Sequence, residues 1–129
     1  NYSFTCATFG EGTYKDKKIP GVPEHKTSAG LRICPHKNLK INLIGNSLSS
    51  MFFISDENNI FPRLKGWFSV DINAAVTLGD FEIFCGVNNI FDAAYSEYGI
   101  ISSGFPPPQE QSFYPAPERN VIAGFRYKF

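Results

Sequence analysis

The residues from Arg119 to Phe129 alternate apolar and polar side chains up to an aromatic last residue. Val121, Ala123, Phe125, Tyr127 and Phe129 share one parity. Asn120, Gly124, Arg126 and Lys128 share the other, with Ile122 the single misfit. A period of two puts successive side chains on opposite faces of an extended chain, so this stretch reads as a β-strand. Soluble chains commonly trail off in a few polar, poorly ordered residues. A strand that continues to an aromatic end therefore narrows what the chain can fold into.

The same period recurs upstream. Asn1 to Phe9 sets Tyr2, Phe4 and Cys6 against Ser3, Thr5 and Ala7, and His25 to Ile33 sets Thr27, Ala29, Leu31 and Ile33 against Lys26, Ser28, Gly30 and Arg32. Asn38 to Leu48 opens with Leu39, Ile41 and Leu43 against Lys40 and Asn42. Gly66 to Leu78 is the cleanest, with Phe68, Val70, Ile72, Ala74, Val76 and Leu78 opposing Ser69, Asp71, Asn73, Ala75 and Thr77. Asp80 to Asn89 sets Phe81, Ile83, Cys85 and Val87 against Glu82, Gly86 and Asn88, with Phe84 out of pattern. Lys26, Arg32, Lys40, Asp71, Glu82, Arg126 and Lys128 all fall on polar faces. Within the central parts of these strands the apolar faces carry no charge, as hydrocarbon would require, since a cation near a bilayer midplane costs ~2–4 kcal/mol. A half-buried soluble sheet needs the same alternation, so the pattern alone leaves both readings open.

Connection lengths separate them. The six predicted strands are joined by a long segment (Gly10 to Glu24), a short one (Cys34 to Lys37), a long one (Ser49 to Lys65), the Gly79-Asp80 turn and a long one (Ile90 to Glu118). Gly-Asp suits a tight hairpin turn. Short turns at one end and long loops at the other are the habit of transmembrane barrels, whose long loops are extracellular. Six strands cannot close a barrel, and an open edge in lipid leaves backbone groups unpaired. The expectation is therefore a carboxyl-terminal piece of a larger barrel, covering residues 1–129 as one unit.

Composition excludes other classes. Lys plus Arg and Asp plus Glu stand at 12 each, so no basic field points to nucleic acid and no acidic tail to a solvating role. Phe, with 13 residues, carries most of an aromatic content of 16%, which suits interfacial belts. No apolar run approaches a membrane-spanning helix, and Asn1 opens no signal-peptide pattern. Cys6, Cys34 and Cys85 are odd in number without CxxC spacing, so neither a disulfide framework nor a zinc site is indicated. His25 and His36 lack a ligand-like neighbourhood, so no metal and no cofactor are expected. Asp56-Glu57 reads as an exposed loop pair, and no nucleophile and base are placed together. A non-enzymatic protein is expected.

The resemblance to a family becomes specific at the fifth strand. Val87-Asn88-Asn89-Ile90-Phe91-Asp92-Ala93-Ala94-Tyr95 resembles the N-N-L-F-D-x-x-Y signature near the end of TonB-dependent outer-membrane receptors. Phe113-Tyr114-Pro115-Ala116-Pro117-Glu118-Arg119-Asn120 resembles their P-x-R step into the final strand, with Glu118 where Gly is more usual. Ala123-Gly124-Phe125-Arg126-Tyr127-Lys128-Phe129 fits their ending. Ile19-Pro20-Gly21-Val22-Pro23-Glu24-His25-Lys26, and Asp56-Glu57-Asn58-Asn59 through Leu64-Lys65-Gly66-Trp67-Phe68, resemble their loop-to-strand steps. The likeness spans the chain in order.

The resemblance implies an all-β antiparallel meander forming the last six or so strands of a 22-stranded transmembrane barrel, without the plug domain. It implies a multi-pass protein of the Gram-negative outer membrane. Such a receptor binds a scarce solute, a ferric siderophore foremost or haem, cobalamin or a glycan, and imports it with energy delivered by TonB. The implied partners are outer-membrane lipid, the amino-terminal plug and remaining strands, TonB through that plug, the barrel assembly machinery and an iron chelate or similar small solute. Phe125, Tyr127 and Phe129 are expected to form the assembly signal. Phe61, Tyr98, Phe105, Phe113 and Tyr114, aromatics on long loops, are candidate ligand contacts, because rigid rings give large contact area at small entropic cost. The competing reading is a secreted β-sandwich module that binds ligand through the same loops. A barrel protease or lipase is disfavoured by having only two His.

Overall fold

The computed structural model describes residues 1–102 and 110–129. Among these the chain is all β. The strands are β1 (Tyr2–Phe4), β2 (His25–His36), β3 (Leu39–Leu48), β4 (Trp67–Leu78), β5 (Phe81–Asn88), β6 (Ser96–Ser102), β7 (Glu110–Pro115) and β8 (Asn120–Tyr127). Six form one sheet in the order β1-β2-β3-β4-β5-β8, and β6 pairs with β7 in a separate ribbon. The sheet does not close on itself, and β1 and β8 are its edges. The antiparallel architecture expected from the alternation is present.

Two compact units divide the chain. The unit of Ser28–Asn46, Phe68–Ala93 and Pro117–Phe129 is a sheet of cross-strand rows. Register places Ile72, Val87 and Val121 in one row, and Ala74, Cys85 and Ala123 in the next. Val76, Ile83 and Phe125 follow, then Leu78, Phe81 and Tyr127. Alternating positions build the other face from Asn73, Gly86 and Ile122, then Ala75, Phe84 and Gly124, then Thr77, Glu82 and Arg126. Both misfits of the sequence pattern, Phe84 and Ile122, therefore lie on the polar face. The Phe84 ring covers Gly124, where an added Cβ would sit 2.6 Å from its Cζ. Arg126 Nη1 meets Glu82 Oε1 at 2.7 Å across the strands. Gly79, at φ +60°, makes the turn into β5.

The unit of Asn1–Thr27, Ser47–Trp67 and Ala94–Ala116 holds the buried apolar cluster. Met51, Phe53, Leu64 and Ile101 are buried, with Leu48 and Phe61 packed against them. Met51 and Leu64 bridge antiparallel, so the segment between β3 and β4 doubles back on itself. Gly66 allows this, since an added Cβ would lie 2.5 Å from the Leu48 carbonyl oxygen.

Three sequence expectations are corrected. The predicted connection from Ile90 to Glu118 is not all loop but contains a hairpin, β6 and β7. A bulge at Glu97 breaks its alternation, hiding the period from inspection. The first predicted strand is ordered as a strand only over Tyr2–Phe4. Beyond it pairing goes on irregularly, with Thr5 N donating to Glu24 O and Ile19 N to Ala7 O. Pro20 and Pro23 remove donors from the opposing segment, so a regular ladder cannot run through. β2 runs through Cys34 and Pro35 to His36, shortening the second connection to Lys37-Asn38. Proline is tolerated near a strand end, and Asn38 N closes the turn on His36 Nδ1 at 3.3 Å.

Candidate functional site

The β6–β7 ribbon has two faces. Gly99 faces Phe53 so closely that an added Cβ would lie 2.4 Å from its Cε1. Phe113, the cross-strand partner of Gly99, meets Phe53 edge-on, with centroids 5.4 Å apart and planes at 82°. On the alternate parity Tyr98 pairs with Tyr114, and their rings stack at 4.4 Å and 16°. The stack is part-exposed, 38% for Tyr98 and 43% for Tyr114, so it presents a flat aromatic surface with two hydroxyls.

The ribbon is held along the β6 edge by main-chain bonds. Ile54 N donates to Gly99 O at 2.8 Å, and Ile101 N donates to Ile54 O at 2.9 Å. The segment carrying Ile54 is itself tied down. Asp56, buried in an otherwise polar turn, accepts from Ile60 N at 3.0 Å and Phe61 N at 3.1 Å. Asn59, at φ +56°, clasps the main chain of Lys18: its Oδ1 accepts from Lys18 N at 2.7 Å and its Nδ2 donates to Lys18 O at 2.9 Å. Gly21 N donates to Phe52 O, and the Arg63 guanidinium lies 4.7 Å from the Phe52 ring centroid. Lys18 pairs with Glu24. Loops held this way lose little further freedom when a ligand arrives.

The candidate ligand contacts therefore separate. Tyr98 and Tyr114 come together, Phe113 joins Phe53 while keeping 55% exposure, and Phe61 packs onto the buried cluster. Phe105 lies outside the described residues. Sequence reasoning missed Phe53, Asp56 as a turn-former and the Asn59 clasp. The Asp-Glu-Asn-Asn run signalled a turn, but nothing local could name Lys18 as its partner.

The Asn88–Asp92 motif is a knot at the start of the long excursion. Asn89 is buried at φ +52°, a conformation asparagine tolerates better than most residues. Its Oδ1 accepts from Ala93 N and its Nδ2 donates to Ala93 O, each at 3.0 Å. Asn89 N donates to Asp71 Oδ1 at 2.9 Å. Asp92 Oδ1 accepts from Arg119 N at 2.9 Å, and Asn88 Nδ2 donates to Asn120 Oδ1 at 2.9 Å. The exit of β5 and the start of β8 are thus bonded together at the end pair of their ladder and just beyond it.

On β8, Phe125 stands opposite Ile83 and is 76% exposed. Tyr127 meets Phe81 with centroids 4.7 Å apart, and Phe129 meets Tyr127 edge-on at 5.0 Å. Lys128 N donates to Asp80 O, which holds the chain in register past the strand's end. The three expected signal residues thus share one exposed apolar face. Among the described residues no group of three His, Cys, Asp or Glu could hold a metal, and Cys6, Cys34 and Cys85 are free thiols.

No protein-family model matches the sequence, and no curated protein matches it. Solved structures do. The chain superposes on the ferric-catecholate import receptor Fiu from E. coli K12 with a TM-score of 0.75 at 20% identity, covering 96% of this chain and 17% of that one. The unliganded ferric citrate transporter FecA gives 0.71 at 23% identity, with 96% and 19% coverage. The ferric yersiniabactin uptake receptor FyuA from Yersinia pestis gives 0.69 at 21%, with 90% and 18%. The chain thus spans less than a fifth of the length of the structures it matches. In fold, it matches a stretch of the antiparallel β-barrel of TonB-dependent receptors, a barrel that its own strands leave open.

Proposed function

We propose that residues 1–129 are barrel wall and outer loops of a TonB-dependent receptor in a Gram-negative outer membrane, a protein that imports a scarce solute. One observation carries this reading. The β4-β5-β8 face is a continuous apolar surface without a charge, and it is left uncovered, with Phe68, Phe81, Ile83, Val121 and Phe125 each at least half exposed. Among the described residues every buried apolar side chain belongs to the other unit, so this sheet has no core of its own. A soluble sheet of this size would bury one face. Hydrocarbon supplies the missing partner, and the opposite face with its Glu82–Arg126 pair then lines the barrel interior.

Solute recognition falls to the rigid aromatic surface of Tyr98 and Tyr114, with Phe113 beside the buried cluster. The neighbours' cargoes favour a ferric chelate as the solute. Binding and passage need no covalent step, so no catalytic residue is assigned. Coupling would come through a plug domain engaging TonB, and Phe125, Tyr127 and Phe129 would serve the assembly machinery. Fractionation tests the location: an antibody against residues 110–118 should detect a heat-modifiable outer-membrane band far larger than 14.4 kDa. A soluble band of about that mass would overturn the reading and favour a secreted β-sandwich. Tyr98→Ala with Tyr114→Ala in the whole receptor should weaken solute binding, and unchanged affinity would remove the assigned surface.

A further inference from the structure

Glycine leaves hollows on the polar face of the sheet, and its own side chains fill two of them. The Phe84 ring covers Gly124, and Asn73 Oδ1 covers Gly86, where an added Cβ would lie 2.2 Å away. Gly30 is different. The nearest atom to an added Cβ there is the Leu43 carbonyl oxygen at 3.7 Å, an ordinary contact. Gly30 opens into a hollow of about 620 Å³, whose polar side chains are Arg32, Asn42 and Asn73.

The lining is rich in donors and contains no carboxylate. Arg32 is exposed, and its Nε donates to Asn42 Oδ1 at 2.9 Å, which restrains one edge of the guanidinium. The two terminal nitrogens of Arg32 make no bond or ion pair among the described residues. Lys40, two positions from Asn42 on the same face, is also without an ion pair there. The carboxylates of this face are engaged elsewhere: Glu82 pairs with Arg126, and Asp71 Oδ1 accepts from Asn89 N. A guanidinium held at one edge with its outer edge free matches a carboxylate by two parallel hydrogen bonds. A concave site of one sign also concentrates the opposite charge.

We propose that the Gly30 hollow is a carboxylate seat on the inner wall, with Arg32 as its anchor and Asn42 as the residue that orients it. The inference rests on the barrel reading, which makes this face interior. The carboxylate belongs either to a solute in transit or to another part of the same protein, and the chemistry of the seat is the same for both.

The test uses the full-length receptor in detergent micelles, with succinate as probe and succinamide as its uncharged counterpart. Line broadening of the succinate methylene protons is followed for wild type, Arg32→Gln, Arg32→Lys and Asn42→Ala. Loss of the bidentate contact should weaken succinate about tenfold or more in Arg32→Gln, with an intermediate effect in Arg32→Lys. Asn42→Ala should weaken it less, and succinamide should not bind. That result supports a seat open to solute. No succinate binding to wild type, with a lowered urea midpoint in Arg32→Gln, supports a seat filled by a carboxylate of the protein. If neither binding nor midpoint responds to Arg32→Gln, the seat is overturned. Heat-modifiable mobility reports folding of each variant, and Arg32→Lys carries the test if Arg32→Gln fails to fold. Outer-membrane location of the wild type, measured in the same preparation, checks the barrel reading separately.

Discussion

Replacing Asn89 by alanine removes both side-chain bonds to Ala93 and places a Cβ-bearing residue without a polar side chain at φ +52°. Each lost bond is worth about 1 kcal/mol net. The left-handed backbone adds roughly 1 kcal/mol for alanine over a residue that tolerates it. The contact from Asn89 Nδ2 to Pro117 O, at 3.5 Å, is too long to add much. The sum is about 3 kcal/mol, roughly a hundredfold in the folding equilibrium. Glycine at the same position loses the bonds but not the backbone preference, so Asn89→Gly should be milder than Asn89→Ala by about 1 kcal/mol. Urea titration of the full-length protein, read by heat-modifiable gel mobility, gives both values. Equal midpoints for the two variants would refute the backbone part. Midpoints within about 0.5 kcal/mol of wild type for both would refute the knot itself.

Gly99→Ala should destabilise the loop unit by about 1–3 kcal/mol, because the methyl collides with the buried Phe53 ring, and protease nicking within residues 94–116 should rise. Ile83→Arg should cost ~2–4 kcal/mol in bilayers if its face meets hydrocarbon, whereas Glu82→Gln, which breaks only an exposed ion pair, should cost under about 1 kcal/mol. Urea midpoints in lipid vesicles compare the two, and equal costs would contradict the assigned faces. Deleting Phe129 should lower the heat-modifiable, assembled fraction of the full-length protein, since it removes one of the three aromatics on the exposed β8 face. Unchanged assembly would leave Phe129 without that role.

Much of the six-stranded sheet was legible because a sheet with one apolar face writes its period directly into sequence. β3, β4, β5 and β8 fall within a residue or two of their alternating segments, and the register confirms that Ile83 and Phe125 share a face. Phe84 and Ile122 broke the pattern for a reason no single strand could reveal. Each stands opposite a glycine of a neighbouring strand, Phe84 across from Gly124 and Ile122 across from Gly86, and those partners are distant in sequence. The loop unit was hidden for the same cause. Phe53 looks like any aromatic until Gly99 and Phe113 are brought to it, and Asn59 holds Lys18 across an intervening strand pair. The ligand-contact assignments stood on exposure alone in sequence; the structure sorts Phe61 into packing against the cluster and pairs Tyr98 with Tyr114.

In the proposed barrel, alternate residues of β8 face hydrocarbon and the barrel interior. Nitroxide labels placed singly at residues 120 to 127 of the full-length protein in bilayers, on a background without native cysteines, test it directly. Collision with oxygen should peak at 121, 123, 125 and 127, and collision with a water-soluble nickel chelate at 120, 122, 124 and 126. Accessibility without a two-residue period, or nickel access at 125 equal to that at 126, would contradict it.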